Sequence, residues 1–517
     1  MTRYAWVIDQ STCIGCHACT TACKAENDVP LGVFRTWVKN VEVGTFPSAK
    51  RHFAVLRCNQ CAEPPCVYIC PTRAMHQRPD GIVDIDHDRC IGCKACMQAC
   101  PYDAIYMDPV DDTAAKCHSC THRVDQGLLP SCVVVCPTES LVFGDLEDPN
   151  SRVSKVIGST PVTVRRPEQG TRPGVYYVAA HGATLDPLAA RHDSQYAWAE
   201  KPEGTATDNA AGRRVGGQAG GTGKPANPPT RQPDARVAYD VSHPITWRWK
   251  VSAYLWTKSL AAGIAFVAAA PMLLGVSTGG IFTTLAPALA MIALLATGVL
   301  LIADLKRPAR FWFILIKPQW RSWLTRGAFI ITAYGAVLFI WLLAAMRGST
   351  PNPGFAAAVC VLALGTAVYT AFLFGQCEAR DLWQSPLVGI QLAFQMVIAG
   401  SGILLLAATF LPRTRAEASY LAGALAWSVG AHLLALMVGE VGTRHSSANA
   451  AAAARVMLRG RYAGLFWLSV VGGMLVPLTI LLFGSVTVEP FAAILALAGL
   501  LGYEHAFVMS GQSVPIS

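Results

Sequence analysis

Beyond about residue 250 the chain becomes a succession of long apolar runs separated by short polar and basic stretches. Eight runs are long enough to cross a bilayer: 253–276, 281–303, 326–346, 355–375, 385–411, 419–439, 463–486 and 488–508. A crossing helix needs about 20 mostly apolar residues. The pattern therefore predicts an all-α polytopic membrane bundle of about eight helices over 245–517. Before residue 186 the texture is different. Gly81-Ile82-Val83-Asp84-Ile85-Asp86 alternates apolar and polar positions as a short strand does, and Leu141-Val142-Phe143-Gly144 reads as another short strand. These features predict an α+β domain of small hairpins over 1–185. Residues 186–244 separate the halves. From Pro202 to Arg236 they are rich in Gly, Pro, Ala, Asn and Arg, with almost no large apolar residue. That composition cannot bury a core and predicts a flexible linker. Its role would be to hold the halves at high effective concentration.

Cysteine usage gives the first half its chemistry. Of eighteen Cys, sixteen lie between Cys13 and Cys136, and only Cys360 and Cys377 lie elsewhere. They form four groups of four. The first is Cys13, Cys16, Cys19 and Cys23. The second is Cys58, Cys61, Cys66 and Cys70, followed by Pro71. The third is Cys90, Cys93, Cys96 and Cys100, followed by Pro101. The fourth is Cys117, Cys120, Cys132 and Cys136, followed by Pro137. The third group is the ferredoxin run C-x2-C-x2-C-x3-C-P. The first differs only in Lys24 at the Pro position, and the second and fourth lengthen the middle. Three close Cys wrap one corner of a cubane, and a short helical turn carries the fourth to a different cluster. The Pro then ends the local hydrogen bonding. A zinc site needs two C-x2-C pairs and has no use for a third Cys or for C-P. Every position is Cys, so four [4Fe–4S] clusters and no three-iron cluster are expected in a ferredoxin-like domain. The clusters must supply much of its core, and the apo domain should fold poorly.

Charge adds topology. The net charge is +9, but many Arg and Lys flank apolar runs, where they orient a membrane protein. No nucleic-acid partner is expected. With eight spans, Arg248, Lys250, Lys306, Arg307, Arg310, Lys317, Arg321, Arg326, Arg380, Arg444, Arg455, Arg459 and Arg461 share the side of the Cys domain. The opposite side has Arg347, Arg413 and Arg415. By the positive-inside rule the Cys domain faces the cytoplasm, across the inner membrane. Met1 to Asp9 has no apolar h-region and no twin-Arg pair, so no signal peptide is expected. Thiols in such number without an export signal point to metal ligation in a reducing compartment rather than to disulfides.

Over roughly residues 1–180, the spacing and the stretches Glu26-Asn27-Asp28-Val29-Pro30 and Arg57-Cys58-Asn59-Gln60-Cys61 resemble the four-cluster subunits of molybdopterin oxidoreductases. That family includes the dimethyl sulfoxide, polysulfide and tetrathionate reductases. The resemblance implies ligand sets paired across a pseudo-twofold axis. One cluster would take Cys13, Cys16, Cys19 and Cys136, and its mirror Cys117, Cys120, Cys132 and Cys23. A third would take Cys58, Cys61, Cys66 and Cys100, and the last Cys90, Cys93, Cys96 and Cys70. It also implies a wire whose first cluster lies nearest a separate catalytic subunit.

Polar residues within spans need partners or functions. Lys258, Asp304, Tyr369, His432, Glu440, Glu504 and His505 stand out. The stretch Asp304 to Trp312, Tyr369-Thr370-Ala371-Phe372-Leu373 and the tail Gly511-Gln512-Ser513-Val514-Pro515-Ile516 resemble the polysulfide reductase/NrfD-type quinol-reactive anchors. The resemblance implies a quinone pocket near the cluster side. Tyr369, Asp304, Arg307 and Arg310 match its motif positions. His243 is a substitute for a His that the family can place before the first span, where this chain has Trp247-Arg248-Trp249-Lys250. The carboxylate expected one turn after the Tyr is replaced by Leu373, which weakens the case for a proton path. His432 and His505 do not form a bis-His haem pattern. Tyr369 serves equally as helix packing, and Asp304 as an ion-pair partner of Arg307. Lys258 reads rather as snorkelling or paired than as catalytic. Cys360 and Cys377 read as packing residues.

Together these features predict a fused electron-transfer and anchor subunit. It would pass electrons between a catalytic subunit, expected to be of molybdopterin type, and menaquinone or ubiquinone. It would not itself act on the primary substrate. The rivals are the same wire serving a nickel–iron hydrogenase, a redox-driven ion-translocating module, and a membrane-tethered zinc scaffold.

Overall fold

The computed structural model describes residues 2–192, 235–274, 276, 279–412 and 414–517. Most of the proposed linker, and Arg413 from the charge comparison, lie outside the described residues.

The N-terminal half is built around the Cys loops. A four-stranded sheet joins Tyr4–Asp9 to Leu141–Asp145 on one side and to Val175–Val178 and Val162–Thr163 on the other. The Leu141 segment is thus a strand, as expected. It pairs with the start of the chain rather than in a local hairpin, since Val142 and Phe143 pack there against Val7 and Trp6. The Gly81–Asp86 alternation gives Val83–Ile85, paired with Met75–Gln77. Its counterpart joins Ile105–Met107 to Ala114–Lys116.

The linker boundaries need correction. Ala189 and Ala190 are buried against Val41, and Ala235–Tyr239 adds a third strand to the hairpin Thr36–Val43/Lys50–Arg57. Ala235, Val237 and Ala238 are buried in that strand, and a β-bulge interrupts its pairing between Val237 and Tyr239. Residues 186–192 and 235–244 therefore belong with the folded domain.

Among the described residues the C-terminal half has eight helices long and apolar enough to span a membrane. They are Trp249–Leu273, Ile281–Asp304, Trp323–Met346, Pro353–Gly375, Leu387–Phe410, Arg415–Gly442, Ala463–Phe483 and Glu489–Gly511. The chain is a multi-pass membrane protein. The first span is the hub, packed on the second, fourth, fifth and eighth. Gly263 on the first span and Gly400 on the fifth let the two backbones touch: a Cβ on either would collide with the other helix.

One apolar core runs from Cys58, Cys96 and Cys100 into Trp247, Tyr254 and the spans. The halves meet at the loop after the second span, the loop after the fourth, and the C-terminal tail.

Candidate functional site

Each Cys group folds as a tight loop followed by a short helix, Ala18–Glu26, Pro65–Ile69, Ala95–Ala99 and Ser131–Val134. The tight loops need left-handed backbone, at Gly15 and His17 in the first group and at Gly92 and Lys94 in the third. The helix then displaces the last Cys from the first three.

This geometry gathers thiols from different groups. Cys13, Cys16, Cys19 and Cys136 line one pocket. Cys23, Cys117, Cys120 and Cys132 line another. Cys70, Cys90, Cys93 and Cys96 line a third. Cys58, Cys61, Cys66 and Cys100 also face one another: burial first, then the other three, pushes the Cys66 thiol well above its ordinary range. Each gathering brings three thiols of one Cys run together with the last thiol of another.

The thiols suit a polynuclear group. Zinc holds thiolate sulfurs at about 2.3 Å. Among the described residues no three His, Cys, Asp or Glu side chains converge on one ion-sized point. Backbone amides turn toward sulfur, from Met75 to Cys70 Sγ at 3.4 Å, Ala114 to Cys90 Sγ at 3.4 Å and Ser119 to Cys117 Sγ at 3.5 Å. Burial pushes Cys93 and Cys100 up to about 12 and Cys96 well up, so each thiolate needs a cationic centre beside it. Cys136 is the exception. Burial works against its thiolate, but the amides of Leu141, Thr138 and Ser140 outweigh it and lower its pKa.

The quartets are consecutive neighbours. Cys19 of the first set interacts with Cys132 of the second. Cys58 of the third interacts with Cys117, and Cys66 with Cys96 of the last. Cys16, in the first set, is exposed. The last set lies against the membrane half.

There the anchor grips the Cys loops. Lys306 and Arg307 amides donate to the Gly92 and Ile91 carbonyls, each at 3.2 Å. Ser322 Oγ and Thr325 Oγ1 donate to the Ile69 and Pro71 carbonyls at 2.7 and 3.1 Å. Trp247 Nε1 donates to the Cys93 carbonyl at 3.3 Å, and its ring stacks on Trp383. Gln98 donates to Gln512 Oε1 at 2.8 Å and accepts from Arg380 Nε at 2.7 Å.

Several residues expected at the quinone pocket have other partners. Asp304 pairs with Lys94 at 2.9 Å, not with Arg307. Arg307 Nε donates to the Asp111 carbonyl at 2.8 Å, and Arg310 Nη1 to the His87 and Cys90 carbonyls at 2.7 and 3.2 Å. These two arginines clamp the cluster domain. His243 is also spoken for: Nδ1 lies 2.5 Å from Asp103, and Nε2 lies 3.5 Å from Asp240 and 3.2 Å from Ser517 Oγ. It ties the cluster domain to the C-terminal tail.

Tyr369 is buried, its ring packed on Gly327, where a Cβ would collide with it. Lys258 Nζ lies 5.0 Å above that ring and donates to the Ala367 carbonyl at 2.9 Å and Thr370 Oγ1 at 2.5 Å. Lys258 sits about 13 Å along the span from Trp249 and is fully buried, so it does not snorkel. Ser259 Oγ donates to Glu504 Oε1 at 3.5 Å, while Glu504 Oε2 has no hydrogen-bond partner among the described residues. Tyr254 is within electrostatic reach of Tyr369, Asp304 and Glu504. Glu504 and Lys258 are visible in the sequence as ionisable residues inside spans, but nothing local joins them to Tyr369. His432 contacts Gln395 at 3.2 Å, and His505 contacts Ser252 at 3.2 Å, so the two histidines do not converge. Cys360 and Cys377 are buried in helix contacts.

Known proteins resemble both halves. Residues 5–71 and 49–146 match 4Fe-4S dicluster domains, and residues 239–515 match the polysulphide reductase NrfD family. The N-terminal half is 44% identical over 193 residues to a subunit of tetrathionate reductase from Salmonella typhimurium, spanning 37% of this chain and 77% of the relative. It is 41% identical over 181 residues to a chain of polysulfide reductase from Wolinella succinogenes, covering 34% and 94%. It is 40% identical over 200 residues to a subunit of sulfite dehydrogenase from Allochromatium vinosum, covering 34% and 83%. With thiol-lined cavities at one end and eight spans at the other, the chain belongs to the polysulphide reductase NrfD family, as an iron–sulfur electron-transfer domain fused to that family's multi-pass membrane anchor.

Proposed function

We propose that the chain carries four [4Fe–4S] clusters in series and exchanges electrons between a separate catalytic subunit and quinone. The observation that carries this reading is the succession of four thiol quartets, ending where the Gly92 loop meets the anchor beside Asp304. The ligands are Cys13, Cys16, Cys19 and Cys136; Cys23, Cys117, Cys120 and Cys132; Cys58, Cys61, Cys66 and Cys100; and Cys70, Cys90, Cys93 and Cys96. When bound, the clusters supply one-electron steps.

The quinone is menaquinone or ubiquinone, and its site lies among Tyr369, Lys258, Glu504 and Asp304. Tyr369 and Lys258 are placed to donate hydrogen bonds to a quinone carbonyl. Glu504, with one free oxygen, takes the proton-exchanging role of the carboxylate missing at Leu373. Asp304 sits between this group and Lys94 of the last Cys loop. Arg307, Arg310 and His243 hold the halves together rather than touching quinone.

The catalytic subunit, of molybdopterin type, docks at the outer end. There Cys16 is exposed and Ile14, Leu128, Leu129 and Val134 present apolar surface. The relatives named as reductase and dehydrogenase subunits support such a complex. The cluster domain faces the cytoplasm across the inner membrane, on the charge bias of the loops.

The deciding experiment is anaerobic purification with iron analysis and reductive titration against a soluble quinone analogue. The expected result is about sixteen irons per chain and quinone-dependent reoxidation of every cluster. Half that iron, or clusters that do not reoxidise, overturns the reading.

A further inference from the structure

Arg57 is the last residue of the strand Lys50–Arg57 and directly precedes Cys58. Its side chain is fully buried and turns away from the Cys58 quartet. The guanidinium stacks 3.8 Å from the Trp6 ring, and Trp6 is itself held by a bond from Nε1 to Ser119 Oγ in the Cys117–Cys120 loop. Arg57 Nη2 donates to Cys132 Sγ at 3.4 Å. Among the described residues Nε and Nη1 have no hydrogen-bond partner. The groups placed to answer its charge are thiols: Cys132 and Cys117 of the second quartet and Cys19 of the first.

A guanidinium stays charged at any accessible pH, and burying one with free N–H groups is costly unless anions face it. Lys116, which precedes Cys117 as Arg57 precedes Cys58, makes the contrast. Its ammonium is already bonded to the Val83 and Cys117 carbonyls. Arg57 keeps two donor groups unspent beside Cys132 of the second quartet, with Cys19 of the first within electrostatic range. Its planar fork suits it to reach two acceptors at once.

We propose that Arg57 is a potential-setting clamp between the first two clusters, giving N–H bonds to sulfur on both and raising both reduction potentials. The physical reason is charge. A thiolate-ligated cluster gains one negative charge on reduction, and a fixed buried cation stabilises the reduced form more than the oxidised one. Hydrogen bonds to sulfur act in the same direction. The two outermost clusters thereby become favourable acceptors for electrons arriving from a docked partner.

This rests on the four-cluster reading above. The test is a redox titration of the full chain followed by electron spin resonance, with iron measured on each sample. R57Q should lower two of the four midpoints by at least a tenfold change in reduction constant each, about 59 mV for a one-electron couple. The other two should stay in place. R57K keeps the charge, but its single ammonium cannot reach both cavities. It should lower one midpoint of the pair and spare the other. Unmoved midpoints in iron-replete R57Q, or a uniform shift of all four, overturn the proposal. Should R57Q fail to hold its iron, R57K decides: full iron with all midpoints unchanged overturns it as well. Low iron in the unmutated chain would instead defeat the four-cluster reading.

Discussion

Gly92 is where a single methyl group should separate the two halves of the wire. Its φ is +69°, and a Cβ there would lie 2.5 Å from Lys306 Cβ, 3.0 Å from the Asp112 carbonyl oxygen and 3.1 Å from the Lys306 amide. Carbon contacts are comfortable only at about 3.5–4.0 Å, so G92A must push the anchor loop back. Two backbone bonds are then at stake, Lys306 to Gly92 and Arg307 to Ile91. At about 0.5–1.5 kcal/mol each, their loss weakens docking by about 1–3 kcal/mol. The left-handed backbone adds a local cost of about 1–2 kcal/mol. That second cost can be isolated at Gly127, which has φ +75° and nothing within 4 Å of an added methyl. G127A thus bears the strain without the collision. The assay is the rate at which prereduced protein reduces a quinone analogue, with iron content measured alongside. G92A should keep its iron and lose roughly tenfold to a hundredfold in the equilibrium constant for docking, at about 1.4 kcal/mol per tenfold. The rate should fall with it, while G127A stays near the unmutated rate. Equal rates in G92A and G127A would refute the reasoning.

Two further outcomes follow from the same contacts. K258M should leave iron and midpoint potentials unchanged and cut quinone reduction by at least about tenfold, since it removes a donor beside Tyr369. Stopped-flow reoxidation checks it, and an unaltered rate would make Lys258 a packing residue. His243 gives a pH dependence: burial disfavours its charged form, but Asp103 and Asp240 outweigh this and raise its pKa from 6.5 to about 10. Its stabilisation is therefore full below about pH 6.5, declines as pH rises and is gone above about 10. Cluster bleaching rates across that range should steepen in the unmutated chain and flatten in H243Q; parallel curves would deny His243 this role.

The Cys groups are legible in the sequence because cluster chemistry imposes a local spacing. The spans are legible because a bilayer imposes a length and a composition. What escapes are contacts that join distant segments without a local period. Asp304 sits three residues from Arg307, and proximity in sequence suggests that pair. The second span ends in between, so the arginine points into the Cys domain and Lys94 takes the carboxylate. Ala235–Tyr239 is hidden in a polar surround because five residues, interrupted by a bulge, are too few to outweigh it. A catalytic reading of Lys258 finds no partner in the neighbouring sequence. Thr370 and Tyr369 come to it from the fourth span, more than a hundred residues away along the chain.

The character of the interface explains how one chain can keep its last cluster aligned with its anchor. Many of the bonds that cross it end on backbone carbonyls of the Cys loops: Ile69, Pro71, His87, Cys90, Ile91, Gly92 and Cys93. Each of these residues is a proposed ligand or lies within three positions of one. A carbonyl carries no side-chain identity, so what the anchor reads there is the shape of the loop. That shape depends on the metal, because loops of this kind have little apolar content of their own and fold around what they bind. The exposed ion pair Lys306–Asp112 adds little by itself. Docking strength therefore resides in groups that are correctly placed only when the second and third Cys loops are wrapped around their clusters. A chain with those loops unfilled would offer the anchor a poor surface, which confines tight contact with the membrane half to domains able to carry electrons.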